Sequence, residues 1–229
     1  MTNTRKFVAA LAAAASVGAV QAAVISGADD VLFVAGSGSN QATLIIDFND
    51  GLTKESFAWG FRWDGVASGA DMIATVAAED PNLSLVYSGN GTSGFYLTTV
   101  TYFDGDNLHT GIDGPDPGGY LFWGYNLAGG TADDDNGSDP GGIPTPVPGG
   151  GNLLPISWTS SPVGAALDSF GNTGRILADG AWDAWSFGTF NPNYSTADSP
   201  PQAALVPEPS SGLLWGGALF LALIRRQRG

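Results

Sequence analysis

The fold of this chain is decided by one stretch, Phe57-Ala58-Trp59-Gly60-Phe61-Arg62-Trp63. Large aromatic side chains occupy every second position, and the residues between them are small or charged. Alternate side chains of a β-strand point to opposite faces, so the pattern predicts a strand with one strongly apolar face. A second apolar run, Thr43-Leu44-Ile45-Ile46-Asp47-Phe48, precedes it, and Asn49-Asp50-Gly51 lies between the two. Because Asn, Asp and Gly favour turns, we expect these two strands to pair.

Similar aromatic and β-branched runs recur along the chain between breaks rich in glycine and proline. Besides 42–49 and 56–63, they predict strands at 31–35, 83–87, 95–103, 120–125, 153–158 and 182–187. One helix is expected near 68–79, because Ser68 and Asp71 match a capping box that precedes an apolar stripe. The predicted fold class is mainly β (α+β), an antiparallel sheet or sandwich with one packed helix.

The N-terminal residues have the composition of a secretory signal. Arg5 and Lys6 precede an alanine-rich apolar run, and Val20-Gln21-Ala22 has small or branched residues where signal peptidase cleaves. We therefore expect residues 1–22 to form a signal helix that is removed by a signal peptidase during export.

The C-terminal residues 206–229 contain three features in order. Pro207, Glu208 and Pro209 come first, the uncharged apolar residues 212–224 follow, and a basic cluster of Arg225, Arg226 and Arg228 ends the chain. A helix over 212–224 would be roughly 20 Å long, shorter than the hydrocarbon core of a bilayer. By the positive-inside rule the arginines stay in the cytoplasm, which places the preceding domain outside.

This tail resembles the PEP-CTERM sorting signal of Gram-negative bacteria. The resemblance implies that an exosortase, a membrane-embedded transpeptidase, processes the chain near Pro207-Glu208-Pro209. It also implies export across the inner membrane and transient anchoring by the helix at 212–224, followed by location at the cell surface or outside the cell. An ordinary tail anchor is the alternative.

A strongly acidic domain is predicted between the two ends. It spans 23–187, with a flexible acidic loop at 128–152, and a spacer at 188–205 joins it to the tail. Residues 23–205 contain three basic residues and twenty-one acidic residues, a formal net charge of −18. Such a surface repels nucleic-acid phosphates, which argues against DNA or RNA as a partner. The chain has no cysteine, which excludes disulfides and thiolate chemistry.

The sequence contains no recognisable catalytic constellation. His109 is the only histidine, and no serine lies in a Gly-x-Ser-x-Gly elbow. We expect His109 to be a solvated loop residue and the protein to be non-enzymatic, with no required cofactor. Carboxylates are so numerous that no pair of them points to glycoside hydrolysis.

The sequence leaves open whether the protein binds calcium. The loop Asp133-Asp134-Asp135-Asn136-Gly137-Ser138-Asp139 places oxygen ligands at alternate positions beside a glycine. The candidate ligands are Asp133, Asp135, Asn136 and Asp139, although the closing glutamate of an EF-hand is missing. A solubilising acidic loop is the alternative.

Several aromatic segments lie in the second half of the domain. The strand pair and the helix are followed by Tyr120-Leu121-Phe122-Trp123-Gly124-Tyr125, then by Trp158, and then by the stretch 179–188. The order of these predicted segments is similar to that of transcobalamin C-terminal-like domains. The similarity spans 40–188, is interrupted by the acidic loop, and implies a small α+β ligand- or partner-binding module without implying cobalamin. If the tryptophans are buried, they are core residues instead.

Two functions therefore compete. The first is a non-catalytic cell-surface or extracellular-matrix protein with exopolysaccharide or envelope components as candidate partners. The second is a glycan or small-ligand binding module, with or without calcium. The exposure of Trp59, Trp63, Trp123, Trp182 and Trp185 distinguishes them, because an aromatic binding platform requires accessible rings.

Overall fold

The computed structural model describes residues 23–90, 94–132, 143–144, 152–161, 168–169, 172–173, 175–189, 192–196 and 199–206. Within these ranges the protein is mainly β, with one α-helix and both antiparallel and mixed sheets, which confirms the fold class at that level. The expected terminal helices, at 1–22 and 212–224, lie outside the described residues. In the part that is described, no helix is long and apolar enough to cross a membrane.

The elements follow one another in a strand-rich order. The described strands are β1 (Val34–Gly36), β2 (Asn40–Asp47), β3 (Ser56–Trp63), β4 (Leu83–Asn90), β5 (Gly94–Phe103), β6 (Leu108–Ile112), β7 (Gly114–Asp116), β8 (Gly119–Ala128), β9 (Thr131–Ala132), β10 (Ile143–Pro144), β11 (Thr159–Ser161), β12 (Asp168–Ser169), β13 (Asn172–Thr173), β14 (Ala181–Thr189) and β15 (Gln202–Ala203). Helix α1 (Gly69–Glu79) follows β3, and a short 3-10 helix (Ala28–Asp30) precedes β1.

A large mixed sheet forms the centre of the domain. Its main order is β1-β3-β2-β14-β8-β11, with β15 also beside β3 and β7 also beside β8. The predicted pairing of the two decisive strands is confirmed, since β2 and β3 are antiparallel and Leu44 lies opposite Trp59. The turn between them has positive φ at Asn49 (45°) and Gly51 (75°), a conformation that these two residue types tolerate.

One face of this sheet carries the main core. The alternating aromatics Phe57, Trp59, Phe61 and Trp63 are buried there together with side chains of α1 and of a second, antiparallel sheet, β4-β5-β6. The N-terminus of α1 has the predicted capping box, in which the Ser68 side chain accepts from the Asp71 backbone amide at 3.1 Å and the Asp71 carboxylate accepts from the Ser68 amide at 2.8 Å. The helix and the small sheet therefore share a core with this face of the large sheet.

The opposite face of the large sheet carries a smaller core. It contains Ile45, Ala58, Ala128, Trp182 and Ala184, covered by segments from both ends of the domain. Residues 192–196 and 199–205, predicted from composition to belong to a spacer, are part of the folded domain instead: Tyr194 and Ala203 lie in this smaller core, and Ala204 lies in the main core. Tyr194, Ala203 and Ala204 are buried, and β15 runs parallel to β3. The sequence signal was weak because β15 has only two residues.

Two other local predictions differ from the structure. The strand expected at 153–158 lies slightly later, as β11. The acidic loop at 128–152 contains the short antiparallel pair β9–β10, and its central residues lie outside the described ranges.

Candidate functional site

His109 is a buried residue of β6 rather than the solvated loop residue expected from the sequence. Its side chain has no exposed surface, Nδ1 lies 2.8 Å from Asp50 Oδ2, and Nε2 lies 3.6 Å from Asp104 Oδ2. The rings of Phe48 and Phe57 pack on the imidazole at centroid distances of 5.4 and 4.7 Å. Because both acidic partners come from turns, the histidine joins the β2–β3 turn to the β5–β6 turn.

Asp104 completes this cluster as an ionised carboxyl. Burial alone would raise its pKa, but hydrogen bonds from the backbone amides of Asn107 and Asp106, together with His109, hold the pKa below the usual value. A carboxylate held in this way by backbone amides stabilises its turn. The arrangement is therefore structural, and the histidine offers no accessible base.

A second buried network surrounds Arg175. Its Nη2 lies 2.5 Å from Asp183 Oδ1, and Arg175 and Asp183 are 1% and 0% exposed. Tyr125 donates its hydroxyl to the other oxygen of Asp183, and Arg175 also donates to the carbonyl of Thr131 at 3.0 Å. Burial would lower the pKa of Arg175, but the charge of Asp183 together with the contacts to Asp183 and Tyr125 outweighs it and raises that pKa. Burial also raises the pKa of Tyr125, so the phenol stays protonated.

Asp47 is a buried carboxyl near the C-terminal segment. Burial raises its pKa to about 7, against the opposing effect of the Ser186 hydroxyl, which donates to Oδ2 at 3.0 Å. Its other oxygen has no hydrogen-bond partner among the described residues. Glu55 adds to the upward shift and accepts from the Ser199 hydroxyl at 2.9 Å. Asp47 therefore changes charge close to neutral pH.

An open cleft of about 450 Å³ lies on the face of the large sheet that carries the smaller core. It is lined by side chains without formal charge: Asn126, Ile156, Ser157, Trp158, Ser160, Asn193, Tyr194, Ser195 and Thr196. Asn126 of β8 and Ser160 of β11 are cross-strand neighbours, and the segment 193–196 forms the facing wall. The strands thus hold one wall in place while the other comes from the chain after β14.

The aromatic part of this cleft is Trp158. Its ring stands edge-on to Tyr194, with centroids 5.2 Å apart and an interplanar angle of 85°. Tyr194 is buried and donates its hydroxyl to the Ser199 carbonyl at 3.1 Å, which fixes the ring. Trp158 stays partly exposed, and its indole N–H has no hydrogen-bond partner among the described residues.

A further cleft of about 350 Å³ lies beside the start of β2. Three of its polar groups bind one another: Arg62 Nη2 donates to Gln41 Oε1 at 3.1 Å, and the Gln41 backbone amide donates to Asp179 Oδ1 at 2.9 Å. Because these donors and acceptors are mutually satisfied, this cleft is the weaker candidate for a ligand site.

The residues predicted as sites all lie outside the part of the chain that the structure describes. The calcium candidates Asp133, Asp135, Asn136 and Asp139 lie outside the described residues, as does the sorting motif from Pro207 to Arg228. Among the residues that are described, no group of three or more His, Cys, Asp or Glu side chains could hold a metal ion. The calcium prediction therefore stays a prediction.

The five tryptophans chosen to distinguish the two functions are all core residues. Trp59, Trp63, Trp123, Trp182 and Trp185 are between 0% and 7% exposed. They cannot form a binding platform, because their rings are covered. Sequence reasoning did not single out Trp158 from the core tryptophans, although it lies outside any period-2 run, between Pro155 and a row of Ser and Thr residues.

No model of a known protein family matches the chain, and no curated protein and no solved structure is significantly similar to it.

Proposed function

We propose that this is an exported, non-catalytic protein that its PEP-CTERM-like tail delivers to the cell surface or the extracellular matrix. A signal peptidase removes residues 1–22 during passage across the inner membrane. The apolar stretch 212–224 then holds the chain in the membrane until an exosortase acts near Pro207-Glu208-Pro209. The ordered motif, apolar stretch and arginine cluster of the tail carry this proposal.

The position of the two chain ends supports it. Ala23, which follows the expected cleavage site, accepts a hydrogen bond from the Ala203 amide at 3.0 Å. Leu205 donates its amide to the Tyr102 hydroxyl at 3.0 Å, and Val206 is 54% exposed. The described residues reach Val206, immediately before the motif, and the segments 23–25 and 201–203 lie side by side. This arrangement suits a domain that is held at one membrane, first by its signal and later by its tail.

A non-catalytic role is supported by the state of the reactive groups. His109 is enclosed by aromatic rings and bound to Asp50. Arg175 and Asp183 are buried against each other, which suits a structural ion pair. Exopolysaccharide and other envelope components are the candidate partners, and the acidic domain disfavours nucleic acid.

The second candidate function is a glycan or small-ligand binding module. The uncharged cleft beside Trp158 favours it, because small-molecule sites combine apolar or aromatic walls with a few convergent polar groups.

The sorting proposal is tested by fractionating cells of the native host. The wild-type protein should reach the surface or the medium, whereas a variant with Pro207→Ala, Glu208→Ala and Pro209→Ala should accumulate in the inner membrane. A Ser210→Ala, Ser211→Ala variant is the matched control and should behave like the wild type. Normal delivery of the triple variant would contradict the proposal.

A further inference from the structure

We propose that the cleft lined by Asn126, Trp158, Ser160 and Asn193 binds a neutral saccharide. The inference deepens the second candidate function, since it names the ligand class and the residues of that site. It does not depend on how the tail is processed.

The wall formed by Trp158 suits a sugar ring. The C–H bonds on one face of a pyranose carry a slight positive charge, and the face of an indole is negative, so the two attract each other. Trp158 is partly exposed, and Tyr194 stands edge-on to it and fixes its position. An aromatic side chain held in this way loses little entropy when a ligand stacks on it.

The polar groups of the cleft suit sugar hydroxyls. The Ser160 hydroxyl lies 3.2 Å from Asn126 Oδ1 and 2.5 Å from Asn193 Oδ1. A hydroxyl has one hydrogen, so Ser160 can donate to only one of these two oxygens. The other amide oxygen therefore needs a further donor, or its amide must be turned so that nitrogen faces Ser160.

Asn126 keeps a polar atom without a partner in either orientation. Its side chain is 1% exposed, and the amide nitrogen has no hydrogen-bond partner among the described residues. If the amide is turned, the oxygen takes that position and is left unpaired instead. A buried polar group without a partner is costly, and it marks a place for a ligand or an ordered water. The indole N–H of Trp158, a residue that also lines the cleft, is a second buried group without a hydrogen-bond partner among the described residues.

Charge selects neutral sugars over acidic ones. None of the described residues that line the cleft carries a formal charge, so none of them pairs with a carboxylate or sulfate. The surrounding domain has a formal net charge of −18 over residues 23–205, which repels uronic acids and sulfated glycans. The volume of the cleft, about 450 Å³, lies in the range of small-molecule sites and suits a short segment of a glycan.

The test is isothermal titration of the full chain in a polyoxyethylene detergent, which has no sugar headgroup. The probes are neutral oligosaccharides of glucose, mannose, galactose and N-acetylglucosamine, with a galacturonic acid trisaccharide as the acidic comparison. We expect at least one neutral probe to bind. Trp158→Ala and Asn193→Ala should each weaken binding by about tenfold, corresponding to the loss of one stacked ring or one hydrogen-bonding group.

Controls separate loss of the site from loss of the fold. Tyr96→Ala removes a ring that is 49% exposed on β5, outside the cleft, and should leave binding unchanged. Asn193 is exposed, so its variant tests the site even if Trp158→Ala fails to fold. The proposal is overturned if no neutral probe binds at millimolar concentration, if both cleft variants bind like the wild type, or if the acidic trisaccharide binds equally well. Delivery of the chain by its tail is read by cell fractionation and stays independent of these results.

Discussion

The backbone amide of Ala203 donates a hydrogen bond to the carbonyl of Ala23 at 3.0 Å, so the first and last segments of the domain lie together. A second contact, from the Ile25 amide to the Pro201 carbonyl at 2.8 Å, runs in the opposite sense between the same segments. The segments next to the two ends that we expect to be handled at the membrane are therefore joined in the folded domain. Four predictions about the stability of this domain follow from particular contacts.

Packing of the C-terminal segment, residues 199–206, on the rest of the domain should contribute strongly to the free energy of unfolding. Ala203 is fully buried in the smaller core, so Ala203→Glu places a charge where nothing can solvate it and should lower the free energy of unfolding by about 3 kcal/mol. Val206→Glu is the control, because Val206 is 54% exposed. Urea unfolding measures both, and equal stability of the two variants would show that the segment is not docked.

Removing the charge of Arg175 from its ion pair with Asp183 should strongly destabilise the domain. Arg175→Met leaves Asp183 buried without its cation, which should destabilise the domain by about 3 to 5 kcal/mol. Arg62→Met removes an exposed arginine bonded to Gln41 and should change stability by less than about 1 kcal/mol. Thermal unfolding of the two variants provides the comparison. Equal melting temperatures for Arg175→Met and Arg62→Met are the contrary result.

Ionisation of Asp47 should lower the free energy of unfolding of the domain as the pH rises. Its pKa is raised to about 7 in the folded state, against about 3.9 for an unperturbed aspartate. Between these values the native protein binds a proton that the unfolded chain does not, so the contribution of Asp47 is most favourable below about pH 4 and is lost towards pH 7.

The Asp47→Asn variant isolates this effect. Its stability relative to the wild type should increase between pH 4 and pH 7 by up to about 4 kcal/mol, because each pKa unit corresponds to about 1.4 kcal/mol. Asp64→Asn is the control, since hydrogen bonds from Ser39 lower the pKa of the exposed Asp64 and its removal cannot produce such an increase. A flat difference for Asp47→Asn would show that the carboxyl is ionised throughout.

Gly69 should resist a substitution that normally favours helices. An added Cβ would lie 2.0 Å from the Tyr125 hydroxyl and 2.7 Å from Asp183, so Gly69→Ala should destabilise the domain by about 2 kcal/mol despite the better helix propensity of alanine. Gly114→Ala is the control, because a Cβ there meets nothing within 4 Å. Differential scanning calorimetry measures the melting temperatures of both variants. A higher melting temperature for Gly69→Ala than for the wild type would mean that α1 does not contact the Tyr125–Asp183 pair.

The sequence predicted those parts of the fold whose determinants are neighbours along the chain. The β2–β3 pair and α1 follow from alternation, a turn and a capping box, each contained in fewer than about twenty residues. It did not predict that β14 would insert between β2 and β8, parallel to one and antiparallel to the other. Nothing local specifies such a pairing, because it depends on the whole arrangement of the sheet.

The candidate site was missed for the same reason. Asn126, Trp158 and Asn193 come from three separate parts of the chain, and each looks ordinary in its own neighbourhood. The burial of His109 could not be predicted from its neighbours in the sequence, because its partner Asp50 lies 59 residues away. By contrast, the proposed sorting tail is read from contiguous residues, so its prediction does not depend on the fold.

The mass of the mature protein isolated from the native host tests the central claim most directly. Processing predicts a chain that starts at Ala23 and ends near Pro207-Glu208-Pro209, without the arginine cluster. A mature protein whose mass still includes residues 225–229 would contradict the account and indicate a plain membrane anchor.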